Sequence, residues 1–141
     1  MKKLLWLDDY RDPLGYCPGE SKWAWTFSPI QQPFEVIWVK SYNEFVAWIT
    51  TNGLPDAICF DHDLGDYQAF RNGYPEYFDG QPWPEHELTG YDCAKWLVNY
   101  CMDHNKELPK YNMQSANPVG KANIDGVLKS YIKHVQNNIA G

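Results

Sequence analysis

The stretch KLLWLDD (residues 3–9) decides the fold, together with its counterpart AICFDHD (residues 57–63). Each is a short apolar run that ends in aspartates. A run that is apolar on both faces is typical of a central strand in a parallel sheet. If the two strands are neighbours, their aspartates converge at the carboxyl edge of one sheet. Like charges repel there, and a divalent cation would hold them together. The sequence therefore predicts a metal–carboxylate site on an open α/β fold.

Size and charge restrict the class of protein. We expect the 141 residues to form a single domain over 1–141 with a real core. The formal net charge of −6 argues against binding of long nucleic-acid duplexes, although a metal ion would still allow a small phosphorylated ligand. No leader segment opens the chain and no run approaches the ~20 apolar residues of a membrane span, so we expect no membrane partner and a cytoplasmic location. The oligomeric state is left open.

The order of elements follows from hydrophobic periodicity and from helix caps. Strands are predicted at 4–7, 34–39, 57–60 and 111–115, with helices following Ser41, Thr89 and Asn117. Parallel strands with right-handed crossovers then form a sheet of about four strands. Two long segments, 10–33 and 66–88, are rich in aromatic residues and are expected to cover the carboxyl edge. Packing in the core explains most of the aromatic residues, and the others would line a pocket for a ring or base.

The four cysteines show no spacing that indicates a zinc site or a disulfide framework. Cys59 falls in a predicted strand, and Cys93 and Cys101 fall in a predicted helix. These three are expected to be buried free thiols. Cys17 lies in a predicted loop and is expected to be exposed.

Acidic residues follow two of the four predicted strands. Two or three of Asp8, Asp9, Asp61 and Asp63 would suffice to hold Mg²⁺ or Mn²⁺, since Mg²⁺ prefers oxygen ligands and keeps waters that a phosphate can replace. For each single aspartate the alternative is a structural role, in which the carboxylate caps the turn that follows the strand.

Two further groups near the same edge have both a functional and a structural interpretation. Ser115 offers a hydroxyl to a phosphate oxygen, and the helix that begins after Asn117 presents backbone amides to an anion, although Asn117 is also an ordinary N-cap. His62 is the best titratable candidate for proton transfer, with Asp63 as a second candidate. Strand alternation would point His62 away from Asp61, so a structural role for His62 is supported as well as a role in proton transfer.

These residues resemble the acidic pair, the acceptor aspartate and the hydroxyl residue of response-regulator receiver domains. More closely, LWLDDYRDP (5–13), CFDHDLG (59–65), TGYDCAKWLV (89–98) and QSANPVG (114–120) resemble the receiver-like family described as cyclic-phosphate-processing. The resemblance covers residue 3 to about residue 131. It implies a receiver-like (flavodoxin-like) three-layer fold and a reaction on cyclic phosphates, such as the 2′,3′-cyclic phosphate of a nucleotide or RNA end. The implied residues are catalytic Asp61, His62, Asp63 and Ser115, ligand-binding Gln114, Asn117, Thr89 and Asp92, and metal-binding Asp8, Asp9 and Asp61.

Two departures from these families keep alternatives open. A phosphorelay receiver has a fifth strand that ends in a lysine, which this chain lacks, so control of a partner through an aspartyl phosphate is the weakest alternative. The residue before Ser115 is usually histidine in the family that the chain resembles, whereas here it is Gln114, which cannot exchange a proton at neutral pH. The first hypothesis is therefore a metal-dependent phosphoesterase, and the second is a module that binds a nucleotide or phosphate without turnover.

Overall fold

The computed structural model describes residues 1–15, 21–62, 64, 88–115 and 117–140, with side chains to residue 136. In chain order the described elements are β1 (Lys2–Leu7), α1 (Trp23–Phe27), β2 (Phe34–Val39), α2 (Tyr42–Asn52), β3 (Ala57–Phe60), α3 (Gly90–His104), β4 (Lys110–Met113) and α4 (Pro118–Ala140). Residues 66–87 of the predicted loop, together with Asp63 and Cys17, lie outside the described residues.

The strands form one sheet in the order β2-β1-β3-β4, and every pairing is parallel. β1 and β3 are neighbours, with Leu4 opposite Ala57 and Leu7 opposite Phe60. The prediction of an open parallel sheet of four strands is confirmed. β4 ends two residues earlier than predicted, at Met113, so Gln114 and Ser115 follow the strand instead of belonging to it.

The sheet is covered on both faces because its central strands alternate between two hydrophobic clusters. On one face Leu5, Leu7, Ile58 and Phe60 pack with apolar residues of α2, α3 and α4. On the other face the core consists of Leu4, Trp6, Ala24, Phe34, Ala57 and Cys59. All these side chains are buried, which explains why residues 4–7 and 57–60 include no polar side chain. The result is the three-layer arrangement that the sequence predicts.

The segment between β1 and β2 contains a helix that the sequence analysis did not predict. Helix α1 has five residues, and Lys22 at its N-cap position makes no side-chain cap hydrogen bond. Packing explains the helix better than local propensity, since Ala24 is buried against the sheet and Trp23, Trp25 and Phe27 pack around the same cluster. Trp23, Trp25 and Phe27 therefore help to cover the second face of the sheet.

Helix ends follow the predicted capping signals. The Ser41 hydroxyl accepts a hydrogen bond from the Glu44 amide at 3.1 Å, and α2 ends at Gly53, which has a φ of +84°. At α3, Thr89 and Asp92 form a reciprocal capping box. Both helix starts are therefore local features that the sequence alone encodes.

The start of α3 lies very close to the end of β3. The Gly90 amide donates a hydrogen bond to the His62 carbonyl oxygen at 2.8 Å. A Cβ atom at Gly90 would lie 2.9 Å from the Asp61 carbonyl carbon and would overlap the Asp61 carbonyl oxygen. Only glycine permits this approach, which fixes the backbone that carries Asp61.

Cys59, Cys93 and Cys101 are buried free thiols, as predicted. Burial raises the pKa of all three, to about 11 for Cys101. Within the described residues, none of the helices combines the length and apolar character that a membrane span needs.

Candidate metal centre

Three carboxylates meet at the carboxyl edge of the sheet. Asp8, Asp9 and Asp61 each place one oxygen within 4.8 Å of the others. The register of the strands produces this arrangement, since the Asp8 amide bonds to the Val39 carbonyl at 3.1 Å and the Asp61 amide to the Leu7 carbonyl at 2.9 Å. These bonds continue the ladder one residue beyond β1 and β3. The predicted convergence of the two strand ends is confirmed.

Asp8 is fully buried, and its carboxylate has the structural role considered for it, while metal binding by Asp8 stays a prediction. Its Oδ1 accepts hydrogen bonds from the amides of Tyr10 at 2.9 Å and Arg11 at 2.8 Å, which closes a turn directly after β1. Its backbone carbonyl accepts a hydrogen bond from the Trp38 indole at 2.6 Å. These contacts fix the carboxylate, and Oδ2 is the oxygen that the turn leaves for other partners.

Gln114 follows β4, the strand that pairs with β3, and the residue is 4 % exposed. Its backbone amide bonds to the Phe60 carbonyl at 3.1 Å, which places it beside Asp61. Its Nε2 donates to the Leu7 carbonyl at 2.9 Å and approaches Asp8 Oδ2 at 3.5 Å. Within the described part of the chain, its buried Oε1 has no hydrogen-bond partner. An unpaired buried acceptor is costly, so a donor from a bound ligand or water would stabilise this site.

Arg11 is the residue of this site that the sequence analysis missed. Its Nη1 lies 3.3 Å from Asp8 Oδ2 and 3.9 Å from Asp61 Oδ1. The signal in the sequence is the position of Arg11 three residues after an aspartate at a strand end. An Asx-type turn at Asp8 brings the arginine back over the edge that the chain has just left. A positive charge therefore lies directly beside the carboxylates.

His62 follows Asp61 in the chain and lies beside the start of α4. A Cβ at Gly120 would lie 2.7 Å from both Cβ and Cδ2 of His62, so the imidazole packs against the first turn of α4. His62 does not belong to the group of potential metal ligands among the described residues. Its role in proton transfer stays a prediction.

The start of α4 leaves fewer backbone amides for an anion than the sequence predicts. Asn117 Oδ1 accepts from the Gly120 amide at 3.0 Å, and the Asn117 carbonyl accepts from Lys121 at 2.9 Å. Since Pro118 has no N–H, Val119 carries the first-turn amide that remains for a ligand. Ser115 is 6 % exposed, and its Oγ accepts from the Asn117 amide at 3.1 Å, which leaves its hydroxyl proton able to donate to a phosphate.

The remaining predicted site residues have structural partners or are not described. The Thr89 amide donates to Asp92 Oδ2 at 2.8 Å, and Lys95 pairs with Asp92 Oδ1 at 3.4 Å. Capping accounts for both box residues, and ligand binding by them stays a prediction. Asp63 lies outside the described residues.

Trp23 and Trp25, considered as platforms for a base, already pack against other side chains. Trp23 stacks on Phe27 with a centroid distance of 5.7 Å, and the Arg11 guanidinium lies 5.2 Å from its ring centroid. Trp25 meets Phe34 edge to face at 5.2 Å. Both rings are only partly buried, so base stacking by them stays a prediction. Two other candidates from the second loop, Tyr74 and Trp83, lie outside the described residues.

In a comparison with known families, the model of the cyclic-phosphate processing receiver domain matches residues 3–130. Neither the curated proteins nor the solved structures contain a match to the chain. The match spans all four strands, α1, α2 and α3, and the first half of α4.

Proposed function

Because the chain belongs to the cyclic-phosphate processing receiver domain family, we propose that it is a metal-dependent phosphoesterase that opens a cyclic phosphate. The substrate class would be a 2′,3′-cyclic phosphate of a nucleotide or RNA end. The observation that carries this proposal is the close approach of Asp8, Asp9 and Asp61, within 4.8 Å, from two neighbouring strands.

The residues present fit a hard divalent cation such as Mg²⁺ or Mn²⁺. Carboxylate oxygens are the ligands that these ions prefer, and Asp8, Asp9 and Asp61 would hold the ion. The three carboxylates carry three formal negative charges, and a divalent ion would offset charge there alongside the Arg11 guanidinium. The buried Oε1 of Gln114, unpaired among the described residues, supports a ligand or bound water at this position.

Opening a cyclic phosphate adds one water molecule. The water oxygen bonds to phosphorus, the bond from phosphorus to one ring oxygen breaks, and the released oxygen takes a proton. A bound divalent ion would polarise the phosphoryl group and offset its charge. The Ser115 hydroxyl and the Val119 amide would donate to phosphate oxygens. His62 or Asp63 would remove the proton from the water, unless Asp61 itself attacks phosphorus.

A module that binds nucleotide without turnover is the second candidate. It is favoured by Gln114, whose amide holds the Leu7 carbonyl at 2.9 Å where the family usually has histidine. An amide orients a phosphate or water but cannot donate and recover a proton. Binding with no product would therefore follow if the histidine is required for catalysis.

The test measures binding and turnover on the same protein. Mn²⁺ affinity is measured by isothermal titration calorimetry, and hydrolysis of adenosine 2′,3′-cyclic phosphate is followed by phosphorus NMR. We expect Asp61→Asn to lose both Mn²⁺ binding and hydrolysis, because one of the three ligands is neutralised. Asp103→Asn, an identical change at an exposed position of α3, should change neither.

The outcomes separate the two candidates. Full activity of Asp61→Asn would reject the phosphoesterase assignment. Tight nucleotide binding with no product, and product only after Gln114→His, would favour the binding module for this chain. Absence of Mn²⁺ binding by the unmodified protein would reject a metal-dependent reaction altogether.

A further inference from the structure

The Arg11 guanidinium occupies the edge of the carboxylate cluster, where a cation would bind. Its Nη1 contacts Asp8 Oδ2 and Asp61 Oδ1, and the two aspartate side chains are 0 % and 7 % exposed. Buried carboxylates without a nearby positive charge are costly, so this arginine stabilises the cluster when no other cation is bound.

The contacts of the guanidinium with the carboxylates are longer than the hydrogen bonds of the Arg11 backbone. One nitrogen serves both aspartates, at 3.3 Å and 3.9 Å, whereas a well-formed arginine–carboxylate pair has two bonds near ~2.8 Å. The Arg11 amide is held by Asp8 Oδ1, and its carbonyl accepts from the Trp6 indole at 2.9 Å. The guanidinium can therefore exchange partners without movement of the backbone that carries it.

Arg11 and a divalent ion would both use the same oxygen of Asp8, Oδ2. Asp8 Oδ1 already accepts from two amides, so Oδ2 is the oxygen available to a divalent ion, and it is the oxygen that Arg11 contacts. Two positive charges on one oxygen repel each other, so binding of the ion would weaken the Arg11 contact. A released guanidinium beside the cluster matches the geometry of a phosphate group, to which it can donate two parallel hydrogen bonds.

We infer that Arg11 is an exchangeable counter-ion: it pairs with Asp8 and Asp61 while the divalent cation is absent and binds the phosphate of the ligand once that cation is present. This inference rests on the proposed function and adds to it a residue that makes metal binding and phosphate binding interdependent. Trp23, whose ring centroid lies 5.2 Å from the guanidinium carbon, supports the flat group between the two positions.

Removal of the Arg11 charge should change the Mn²⁺ affinity and the nucleotide affinity in opposite directions. Arg11→Met removes the competing charge, so Mn²⁺ should bind about tenfold more tightly, a coupling of ordinary size. The same variant should bind adenosine 2′-monophosphate about tenfold more weakly when Mn²⁺ is saturating, because charge-assisted hydrogen bonds to the phosphate are lost. A residue with only a structural role would weaken both interactions or neither.

Lys22→Met is the matched control. The Lys22 ammonium lies 5.2 Å from the Trp25 ring centroid, so this change also removes a positive charge from a tryptophan face. Lys22 belongs to none of the ion pairs of the cluster among the described residues. Both affinities should stay within about twofold of the unmodified protein, because this change leaves the ion pairs between Arg11 and the carboxylates in place.

Calorimetry on the full chain gives both affinities, and urea unfolding adds an independent readout. Mn²⁺ should raise the urea midpoint, relative to the same protein in EDTA, more for Arg11→Met than for the unmodified protein. Arg11→Lys keeps the charge, so its Mn²⁺ affinity should stay near the original, while its nucleotide affinity should fall with loss of the paired donors. This second variant keeps the test valid if the methionine variant unfolds.

The inference is overturned if Arg11→Met leaves the Mn²⁺ affinity unchanged or weakens it, or if nucleotide affinity does not fall. These outcomes leave the proposed function intact, since the unmodified protein still binds Mn²⁺. If the unmodified protein binds no Mn²⁺ at all, the proposed function fails first and the inference fails with it.

Discussion

Replacing Gly90 by alanine tests how closely α3 must approach the strand that carries Asp61. The new Cβ would lie 2.9 Å from the Asp61 carbonyl carbon and 3.1 Å from His62 Cα, and it would overlap the Asp61 carbonyl oxygen. All three neighbours are backbone atoms, so no change of rotamer can relieve the contact. The helix start must move away from β3, or the peptide after Asp61 must rotate.

The size of the effect follows from three terms. Forcing a methyl group into a packed position costs roughly 1–3 kcal/mol. Weakening of the 2.8 Å hydrogen bond from the Gly90 amide to the His62 carbonyl costs at most about 1 kcal/mol more. The lower backbone entropy of unfolded alanine offsets about 0.4–1 kcal/mol. We therefore expect Gly90→Ala to lose about 1–3 kcal/mol of the free energy of unfolding.

Gly126→Ala is the matched control, since a Cβ there meets no atom within 4 Å. This residue is exposed in the middle of α4, so the change should stabilise the protein by about 0.4–1 kcal/mol. Urea unfolding monitored by tryptophan fluorescence measures both variants. If Gly90→Ala proves as stable as Gly126→Ala, the close approach of α3 to β3 is wrong. Mn²⁺ titration of Gly90→Ala should also show weaker binding, because Asp61 is displaced from its partners.

Two further predictions concern the helix cap and the thiols. Asn117→Ala removes the acceptor of the 3.0 Å hydrogen bond from the Gly120 amide, so the free energy of unfolding in urea should fall by about 1 kcal/mol. Asn117→Asp keeps an acceptor and should retain most of that stability. Equal losses for both variants would contradict a capping role. Burial raises the pKa of the Cys59, Cys93 and Cys101 thiols, so a thiol reagent at pH 8 should modify at most one of the four cysteines before unfolding and all four in urea. The raised pKa values also set the direction of the pH effect. Thiols of the unfolded chain ionise near their ordinary pKa of 9.0, before the buried thiols do, so the free energy of unfolding should fall as the pH rises above 9. An unchanged free energy of unfolding between pH 8 and pH 10 would contradict this.

Local patterns in the sequence were sufficient for most of the architecture. The apolar runs at 4–7 and 57–60 have no polar face, which requires central strands covered on both sides, and the aspartates that follow them must then share one edge. The capping signals at Ser41 and Thr89 act within one turn of helix, so they are readable without knowledge of the fold.

Tertiary contacts decided what short-range patterns cannot express. Helix α1 exists because Ala24 and its aromatic neighbours are buried against the sheet, although five residues with an uncapped start have little helical stability of their own. The position of Arg11 over Asp8 and Asp61 depends on a turn that the Trp6 indole and the Asp8 carboxylate close together. The buried Gln114 amide depends on a carbonyl more than a hundred residues away in the chain, Leu7. The sequence by itself determined which carboxylates end the two apolar strands, because strand periodicity is local. Only the folded structure decided that Asp8, Asp9 and Asp61 meet and that Arg11 lies beside them, because these contacts join groups whose positions are set by separate elements.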